Sequence, residues 1–186
     1  MRLFVALSPP EETRRRLADW TRHLVGEVPG TRCVPARNLH VTLRFLGEVE
    51  DDAVADVLGG LENVARRHPA LALALLSPGV VPPRGKPRLG YYGLESTGEL
   101  GRLRAEVAAR LEVLLGLETE RRPFRPHLTL ARCRPAWSRG VAERWTSAEW
   151  PHPDRAFEIT YVELMESRLS PSGAEYRPVG RFRLEA

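Results

Sequence analysis

Residues 38–49 read NLHVTLRFLGEV, and residues 124–132 read FRPHLTLAR. Each stretch contains a tetrad of histidine, an apolar residue, threonine and leucine, which begins at His40 in the first stretch and at His127 in the second. Side chains alternate between the two faces of a β-strand, so the histidine and the threonine of each tetrad share one face. The sequence therefore predicts two strands, each with one polar face and one buried face.

Outward from the tetrads, helices and strands alternate along the chain. Apolar residues at intervals of three and four predict helices at 11–25, 51–67, 98–115 and 139–147. Alternating or continuous short apolar runs predict strands at 2–7, 39–46, 70–77, 88–94, 127–133, 156–166 and 175–184. Residues 77–87, SPGVVPPRGKP, are predicted to form an exposed, mobile loop. Because no sustained parallel series of strands and helices is present, the expected class is α+β.

The length of 186 residues fits one compact domain over 1–186, or two small lobes that share a cleft, better than two independent domains. No stretch reaches the roughly 18 apolar residues that a membrane span needs, and the N-terminal segment becomes polar too early for a signal peptide. We therefore expect a cytoplasmic protein that does not contact a membrane. Since no helix has the pattern of a coiled-coil seam, we expect a monomer without an obligate protein partner.

The chain is basic, with a net charge of +4 and a sequence pI of about 9.6. All of its basic residues except Lys86 are arginines. The planar guanidinium group of arginine matches phosphate, so a basic surface suits a nucleic-acid end. A GC-rich genome or a hot habitat produces the same bias without a functional cause, so composition leaves both explanations open.

The repeated tetrads predict a site for one phosphate if their strands face each other across a cleft. Opening a cyclic phosphodiester needs a base for the attacking water and an acid for the departing sugar oxygen, and histidine performs either role near neutral pH. Threonine hydroxyls can donate hydrogen bonds to the nonbridging oxygens. A single tetrad would be explained as well by ordinary strand preferences. Its repetition in matched context favours function, whereas His23, His68 and His152 lack this context and are expected at the surface.

A metal site is the main chemical alternative, because two histidines and a carboxylate can bind zinc or iron. Neither tetrad has Asp or Glu within two residues of its histidine, and threonine is a poor metal ligand. We therefore expect no metal.

The two tetrads lie within longer strings that resemble a known family. These strings are MRLFVAL at 1–7, NLHVTLRFLGEV at 38–49, FRPHLTLAR at 124–132 and LMESRLSPSGAEYRPVGRFRL at 164–184. They resemble the two-histidine (2H) phosphoesterases, and within these the bacterial and archaeal RNA 2′,3′-cyclic phosphodiesterases, also called 2′-5′ RNA ligases. The resemblance covers nearly the whole chain.

The resemblance implies a bilobal fold, in which two pseudo-symmetric α/β lobes with antiparallel sheets surround a central cleft. It also implies hydrolysis of 2′,3′-cyclic phosphates, at RNA ends or on nucleosides, to 2′-phosphates without a cofactor, with weak reverse 2′-5′ joining of RNA ends in some members. By the same resemblance, His40 is the proton donor to the leaving 3′ oxygen, and His127 is the proton acceptor that activates water. Thr42, Thr129 and Arg132 bind the phosphate.

Two positions fit the family pattern less simply. Arg132 is five residues beyond His127, so it faces the phosphate only if the strand bulges or ends before it. Arg44 has the parity of Thr42, and it is either an alternative phosphate ligand or a solvated strand residue. The loop at 77–88 departs from the family pattern, which leaves recognition of the base or of flanking RNA open.

Two other functions remain possible on this sequence. One is a non-catalytic RNA-binding or nucleotide-binding module that uses the same cleft. The other keeps the chemistry but acts on a different cyclic phosphate, such as a product of tRNA splicing.

Overall fold

The computed structural model describes residues 1–95, 97–170 and 173–185. The helices are α1 (Glu11–Val25), α2 (Val54–Ala65), α3 (Gly98–Leu115) and α4 (Arg139–Thr146). The strands are β1 (Arg2–Leu7), β2 (Thr31–Cys33), β3 (Val41–Glu48), β4 (Leu71–Val81), β5 (Leu89–Leu94), β6 (His127–Cys133), β7 (Ala156–Ile159), β8 (Tyr161–Ser170) and β9 (Gly173–Arg183).

The strands form two antiparallel sheets. One sheet has the order β3-β1-β8-β9, and the other has the order β2-β6-β5-β4-β7. Helices α2 and α3 pack against the first sheet, and α1 and α4 pack against the second. The predicted α+β class with antiparallel sheets is confirmed, and each sheet contains one of the two tetrad strands, β3 or β6.

Apolar side chains from both sheets and from the four helices form one continuous core. Leu17 and Trp20 of α1 and Leu103 of α3 are buried in this core, as their helical spacing predicts. Helix α2 approaches α3 closely at Gly60, where a Cβ atom would lie 2.8 Å from Leu114 Cδ1. A larger residue at this position would require the Leu114 side chain to move.

A second, smaller apolar cluster lies on the opposite face of the first sheet. It consists of Phe4, Ala6 and Met165 with Tyr176 packed against them, and we call it the Phe4 cluster. Val5, which lies between Phe4 and Ala6, belongs to the main core. Strand β1 is therefore apolar on both faces, because one face packs into the main core and the other into the Phe4 cluster.

The predicted loop at 77–87 is partly strand, so this prediction is wrong. Strand β4 continues to Val81, and Pro78 pairs with Tyr92 of β5. Strand β7 borders β4 only along residues 71–74. Among the described strands, the other edge of β4 has no neighbour at Pro78, so a residue without a backbone N–H is tolerated there.

Other differences from the sequence predictions are also local. The strand predicted at 156–166 is two strands, because β7 joins the second sheet and β8 joins the first. Strand β2, which was not predicted, borders β6. His68 is buried rather than at the surface, with Nε2 3.3 Å from the Glu106 carboxylate.

Candidate active site

Residues of both β3 and β6 line a cleft of about 1130 Å³. The five site residues predicted from the sequence all line this cleft, namely His40, Thr42, His127, Thr129 and Arg132. His40 lies directly before β3 and is half-buried, whereas His127 is the first residue of β6 and is exposed. Two tetrads that are distant in the sequence therefore share one cavity.

Both imidazole rings are held through the same ring nitrogen. His40 Nδ1 lies 2.7 Å from the carbonyl oxygen of Asn38, and His127 Nδ1 lies 2.7 Å from that of Arg125. A carbonyl oxygen only accepts hydrogen bonds, so each Nδ1 carries a proton and donates it. In each ring Nε2 is therefore the atom that gains or loses a proton. The side-chain amide of Asn38 donates to the carbonyl oxygen of Ala174 at 2.8 Å. The residue that holds the His40 ring is therefore itself bound to β9.

A β-bulge brings Arg132 to the face of the second tetrad. The register of β6 with β5 skips Leu130, the last residue of the tetrad. This extra residue shifts the alternation of side chains by one position, so Arg132 lies on the same face as Thr129. Arg132 is exposed and lines the cleft. The bulge that the sequence required for Arg132 to face the cleft is present.

Strand β3 has a matching bulge at Leu43, the last residue of the first tetrad. The bulge pairs Arg44 with a core residue of β1 and so turns Arg44 away from the face of Thr42. The next residue, Phe45, pairs with Phe4 and lies on the cleft face instead. Simple alternation along the strand thus missed Phe45 and placed Arg44 on the face of Thr42, although Arg44 still borders the cleft.

Arg44 is 4% exposed, so the alternative of a solvated strand residue is wrong. Its guanidinium group donates to the carbonyl oxygen of Glu118 and lies 3.3 Å from the carboxylate of Glu112 and 3.4 Å from that of Glu120. These carboxylates neutralise the charge of Arg44. Arg44 therefore ties β3 to residues 117–126, the segment that leads into the second tetrad.

Thr42 and Thr129 are half-buried in the wall of the cleft. Within the described part of the chain, neither hydroxyl group makes a hydrogen bond. Both O–H groups are therefore available to donate to a bound anion.

The electrostatic environment of His40 favours its neutral form. Burial lowers the pKa of His40, and the positive charges of His127 and Arg132 lower it further, whereas the hydrogen bond to Asn38 raises it. The effects of His127 and Arg132 reflect their position on the opposite wall of the same cleft.

Aromatic side chains that the sequence did not single out surround the histidines. The ring centroids of Phe4 and Tyr176 lie 4.9 Å and 5.1 Å from that of His40, and Tyr91 lies 5.5 Å from His127. The apolar run at 2–7 contains Phe4, but the sequence does not indicate that Phe4 faces the site. Nothing in the sequence near Tyr176 predicts its proximity to His40.

Further arginines line the cleft, and they are Arg2, Arg121, Arg122 and Arg125. None of the four forms an ion pair within the described ranges. Arginines outnumber carboxylates among the lining residues, so the cleft attracts anions. Residues 77–88, where the sequence departs from the family pattern, do not line it.

The described residues contain no group of three or more His, Cys, Asp and Glu side chains placed to hold a metal ion. The same residues form no helix with the length and apolar character needed to cross a bilayer.

Curated proteins named RNA 2′,3′-cyclic phosphodiesterase are similar to this chain. The protein of that name from Thermus thermophilus is 35% identical over 189 residues, which cover 99% of this chain and 90% of the relative. Its counterpart from Archaeoglobus fulgidus is 30% identical over 185 residues, which cover 98% of this chain and 99% of the relative.

Solved structures and a family profile agree with these similarities. The Thermus thermophilus protein TT0787 matches with a TM-score of 0.82 at 30% identity, over 99% of this chain and 98% of that one. Escherichia coli LigT in complex with 3′-AMP matches with a TM-score of 0.77 at 27% identity, over 98% of this chain and 97% of that one. Residues 9–170 match the profile of the 2′-5′ RNA ligase superfamily. The resemblance seen in the sequence is confirmed, and this chain belongs to the 2′-5′ RNA ligase superfamily.

Proposed function

We propose that the chain hydrolyses 2′,3′-cyclic phosphates, at RNA ends and on small nucleosides, to 2′-phosphates. The observation that carries this proposal is the pair of imidazoles, His40 and His127, which share one cleft, donate from Nδ1 to a backbone carbonyl and each lie beside a threonine. Relatives named RNA 2′,3′-cyclic phosphodiesterase support the reaction, and the LigT complex with 3′-AMP supports a nucleotide as the ligand.

The reaction is acid-base catalysis on opposite sides of one phosphorus atom. One Nε2 accepts a proton from the attacking water while the other donates a proton to the leaving 3′ oxygen. We assign the acceptor role to His127, because it is exposed and water can reach it. We assign the donor role to half-buried His40. Each turnover leaves His127 protonated and His40 neutral, and exchange with solvent restores both.

Substrate binding has to favour the protonated form of His40, because burial and the neighbouring cations lower its pKa in the empty cleft. The phosphodiester carries one negative charge. Bound between the two imidazoles and Arg132, this charge offsets the effect of the cations and raises the pKa of His40. Binding therefore prepares the proton donor.

The phosphate is held by uncharged and charged donors. Thr42 and Thr129 donate hydrogen bonds to the nonbridging oxygens, where negative charge increases in the transition state. Arg132 offers its planar guanidinium group to the same oxygens. These residues complete the reaction without a metal or another cofactor. If the 5′-hydroxyl of a second RNA end attacks the cyclic phosphate in place of water, the same groups would join RNA ends weakly through a 2′-5′ linkage, with the 3′ oxygen again as the leaving group.

The test is hydrolysis of adenosine 2′,3′-cyclic phosphate in excess chelator. General acid or base catalysis contributes about 10²–10⁴-fold, so His40→Ala and His127→Ala should each lower kcat by at least about 100-fold. His23→Ala is the matched control, because His23 is exposed on α1 and does not line the cleft. Unchanged activity in the double variant, with the fold intact by circular dichroism, would refute the proposal.

The identity of the product and the fate of RNA separate the remaining alternatives. A 2′-phosphate product, identified by chromatography against the 3′-phosphate, supports the assigned leaving group. Salt-dependent RNA binding without turnover of any cyclic phosphate would instead support the binding module. The single two-lobed domain, the cytoplasmic location and the monomeric state stay predictions.

A further inference from the structure

The His127 ring is held by fewer contacts than the His40 ring. His40 is half-buried and packs against the rings of Phe4 and Tyr176. His127 is exposed, and within the described part of the chain its ring makes one hydrogen bond, from Nδ1 to the carbonyl oxygen of Arg125. One hydrogen bond leaves the imidazole free to turn about it. A catalytic group has to stay within about 0.5 Å of its productive position, so His127 needs a second contact.

Tyr91 of β5 provides this second contact. Its ring centroid lies 5.5 Å from that of His127, and the two ring planes meet at 70°. Aromatic rings favour this edge-to-face arrangement. Tyr91 pairs with Thr129 of β6, and its neighbour Gly93 pairs with His127, so Tyr91 lies on the face of the second tetrad. Among the described residues, no other aromatic side chain packs against His127.

The position of the Tyr91 ring is itself fixed by a glycine on the next strand. Tyr91 pairs with Gly79 of β4, and a Cβ atom at Gly79 would lie 2.3 Å from Cζ of Tyr91 and 2.4 Å from its Oη. Any larger residue at Gly79 would therefore displace the ring. Gly79 does not have a positive φ, so its backbone conformation does not require glycine. The close approach of the ring is the feature that requires it.

Tyr91 is placed to act on His127 rather than on a substrate. It is half-buried and does not line the cleft. Its hydroxyl group makes no hydrogen bond to the residues that the structure describes. The contact with His127 is therefore a contact of the ring and does not depend on the hydroxyl group.

We propose that Tyr91 is a positioning residue, whose ring, resting on Gly79, holds the His127 imidazole so that Nε2 points at the attacking water. This inference rests on the proposed function and adds to it how the proton acceptor is oriented. It also gives a role to part of the segment 77–88, which departs from the family pattern and does not line the cleft. Gly79, in that segment, acts on the site through Tyr91.

The first experiment measures kcat and KM on adenosine 2′,3′-cyclic phosphate. Misplacing a catalytic group by about 1 Å costs up to about 100-fold in rate, so Tyr91→Leu should lower kcat by about tenfold or more. The KM should stay near that of the parent chain, because Tyr91 does not line the cleft. Tyr91→Phe should restore kcat, because it keeps the ring. Tyr161→Leu is the matched control, since Tyr161 is a half-buried tyrosine of β8 that does not line the cleft.

The second experiment tests the route through Gly79 with a double-mutant cycle. Gly79→Ala should lower kcat, because the added Cβ displaces the Tyr91 ring. In the Tyr91→Ala background no ring is present, so Gly79→Ala should have no further effect on kcat. Independent losses from the two substitutions would overturn the role of Gly79.

Two kinetic outcomes would overturn the role of Tyr91. One is an unchanged kcat in Tyr91→Leu with the fold intact by circular dichroism. The other is an equal loss of kcat in Tyr161→Leu, which would make the effect one of general destabilisation.

Nitrogen NMR of the imidazole rings makes the same test without turnover. The hydrogen bond to Arg125 keeps the neutral His127 ring protonated at Nδ1. Tyr91→Leu should move part of it to the form protonated at Nε2, whereas His40 in the same spectrum should not change. If the parent chain hydrolyses no cyclic phosphate, the proposed function fails, while a change confined to His127 still supports the positioning role. If the parent chain is active and neither kcat nor the His127 signals change in Tyr91→Leu, only the positioning inference fails.

Discussion

The replacement Arg44→Met removes the buried cation that ties β3 to the segment 117–126. Methionine retains the apolar stem of the arginine but donates no hydrogen bond. The substitution leaves the Glu118 carbonyl oxygen without its donor and the Glu112 carboxylate without its cation. Glu112 lies near the end of α3, and Glu118 lies between α3 and the second tetrad.

The expected loss follows from the burial of each partner. An unsatisfied buried carbonyl costs about 1–3 kcal/mol, and breaking a buried ion pair costs about 3–5 kcal/mol. Glu112 is 18% exposed, so solvent only partly compensates its carboxylate for the loss of the cation. Glu120 is 40% exposed and keeps Arg104 at 2.5 Å, so it contributes little. We expect a loss of about 4 kcal/mol in the free energy of unfolding, the lower end of these two costs together, and a Tm lower by about 12 °C for a chain of this length.

Urea denaturation of Arg44→Met, Glu112→Gln and the double variant measures this loss and the coupling between the two side chains. We expect a coupling energy of at least about 1 kcal/mol, because the groups are in direct contact. Arg67→Met is the matched control, since Arg67 pairs with Glu106 at 3.1 Å on the surface and its loss should cost at most about 1 kcal/mol. If Arg44→Met is no more destabilising than Arg67→Met, Arg44 does not hold the segment in place.

Three further outcomes are expected. Arg132→Gln removes a cation that lowers the pKa of His40, so this pKa should rise. If His40 donates the proton, the alkaline limb of the pH profile of kcat/KM should move to higher pH. Movement of the acidic limb instead would reverse the assigned roles. Gly90→Ala places a Cβ 2.6 Å from Trp137 Cη2 and should destabilise the chain by about 1–3 kcal/mol in urea, whereas Gly101→Ala, with no atom within 4 Å, should be neutral or stabilising. Arg121→Gln and Arg122→Gln should each reduce the slope of log KM against log salt by about 0.7 for an RNA oligonucleotide and leave it unchanged for a cyclic mononucleotide. Equal effects on both substrates would exclude contacts of these arginines along the RNA strand.

The sequence predicts the elements whose boundaries depend on local signals. Helix α3 runs over Gly98–Leu115, as predicted, because Thr97 accepts a hydrogen bond from Leu100 N at its start and Gly116 adopts a φ of 63° after its end. Helix α1 and strands β1 and β6 also match their predicted ranges. The repeated tetrads predict the candidate site for a similar reason, because strand alternation fixes His and Thr on one face before any partner strand is known.

Features that depend on a partner strand were not predictable. The bulges at Leu43 and Leu130 exist only in the registers of β3 with β1 and of β6 with β5. Without those registers, parity assigned Arg44 to the face of Thr42 and left Phe45 unnoticed. Pro78 likewise suggested a loop, because proline has no backbone N–H to donate within a sheet. It is tolerated in β4 because β7 ends before it and leaves that edge of β4 unpaired, which the sequence does not show. Long-range pairing, rather than local propensity, decides these positions.

The difference between the two histidines also comes from their surroundings rather than from the tetrads. Both rings donate from Nδ1 to the carbonyl oxygen two residues earlier, so their hydrogen bonds give them no separate roles. His40, however, lies among Phe4 and Tyr176, whereas His127 faces the open cleft. Burial lowers the pKa of His40, and a bound anion raises it in addition to the hydrogen bond to Asn38, so binding favours the protonated ring. In the proposed mechanism, the acid becomes protonated when the phosphate binds, whereas the base on the opposite side of the phosphorus stays in contact with water.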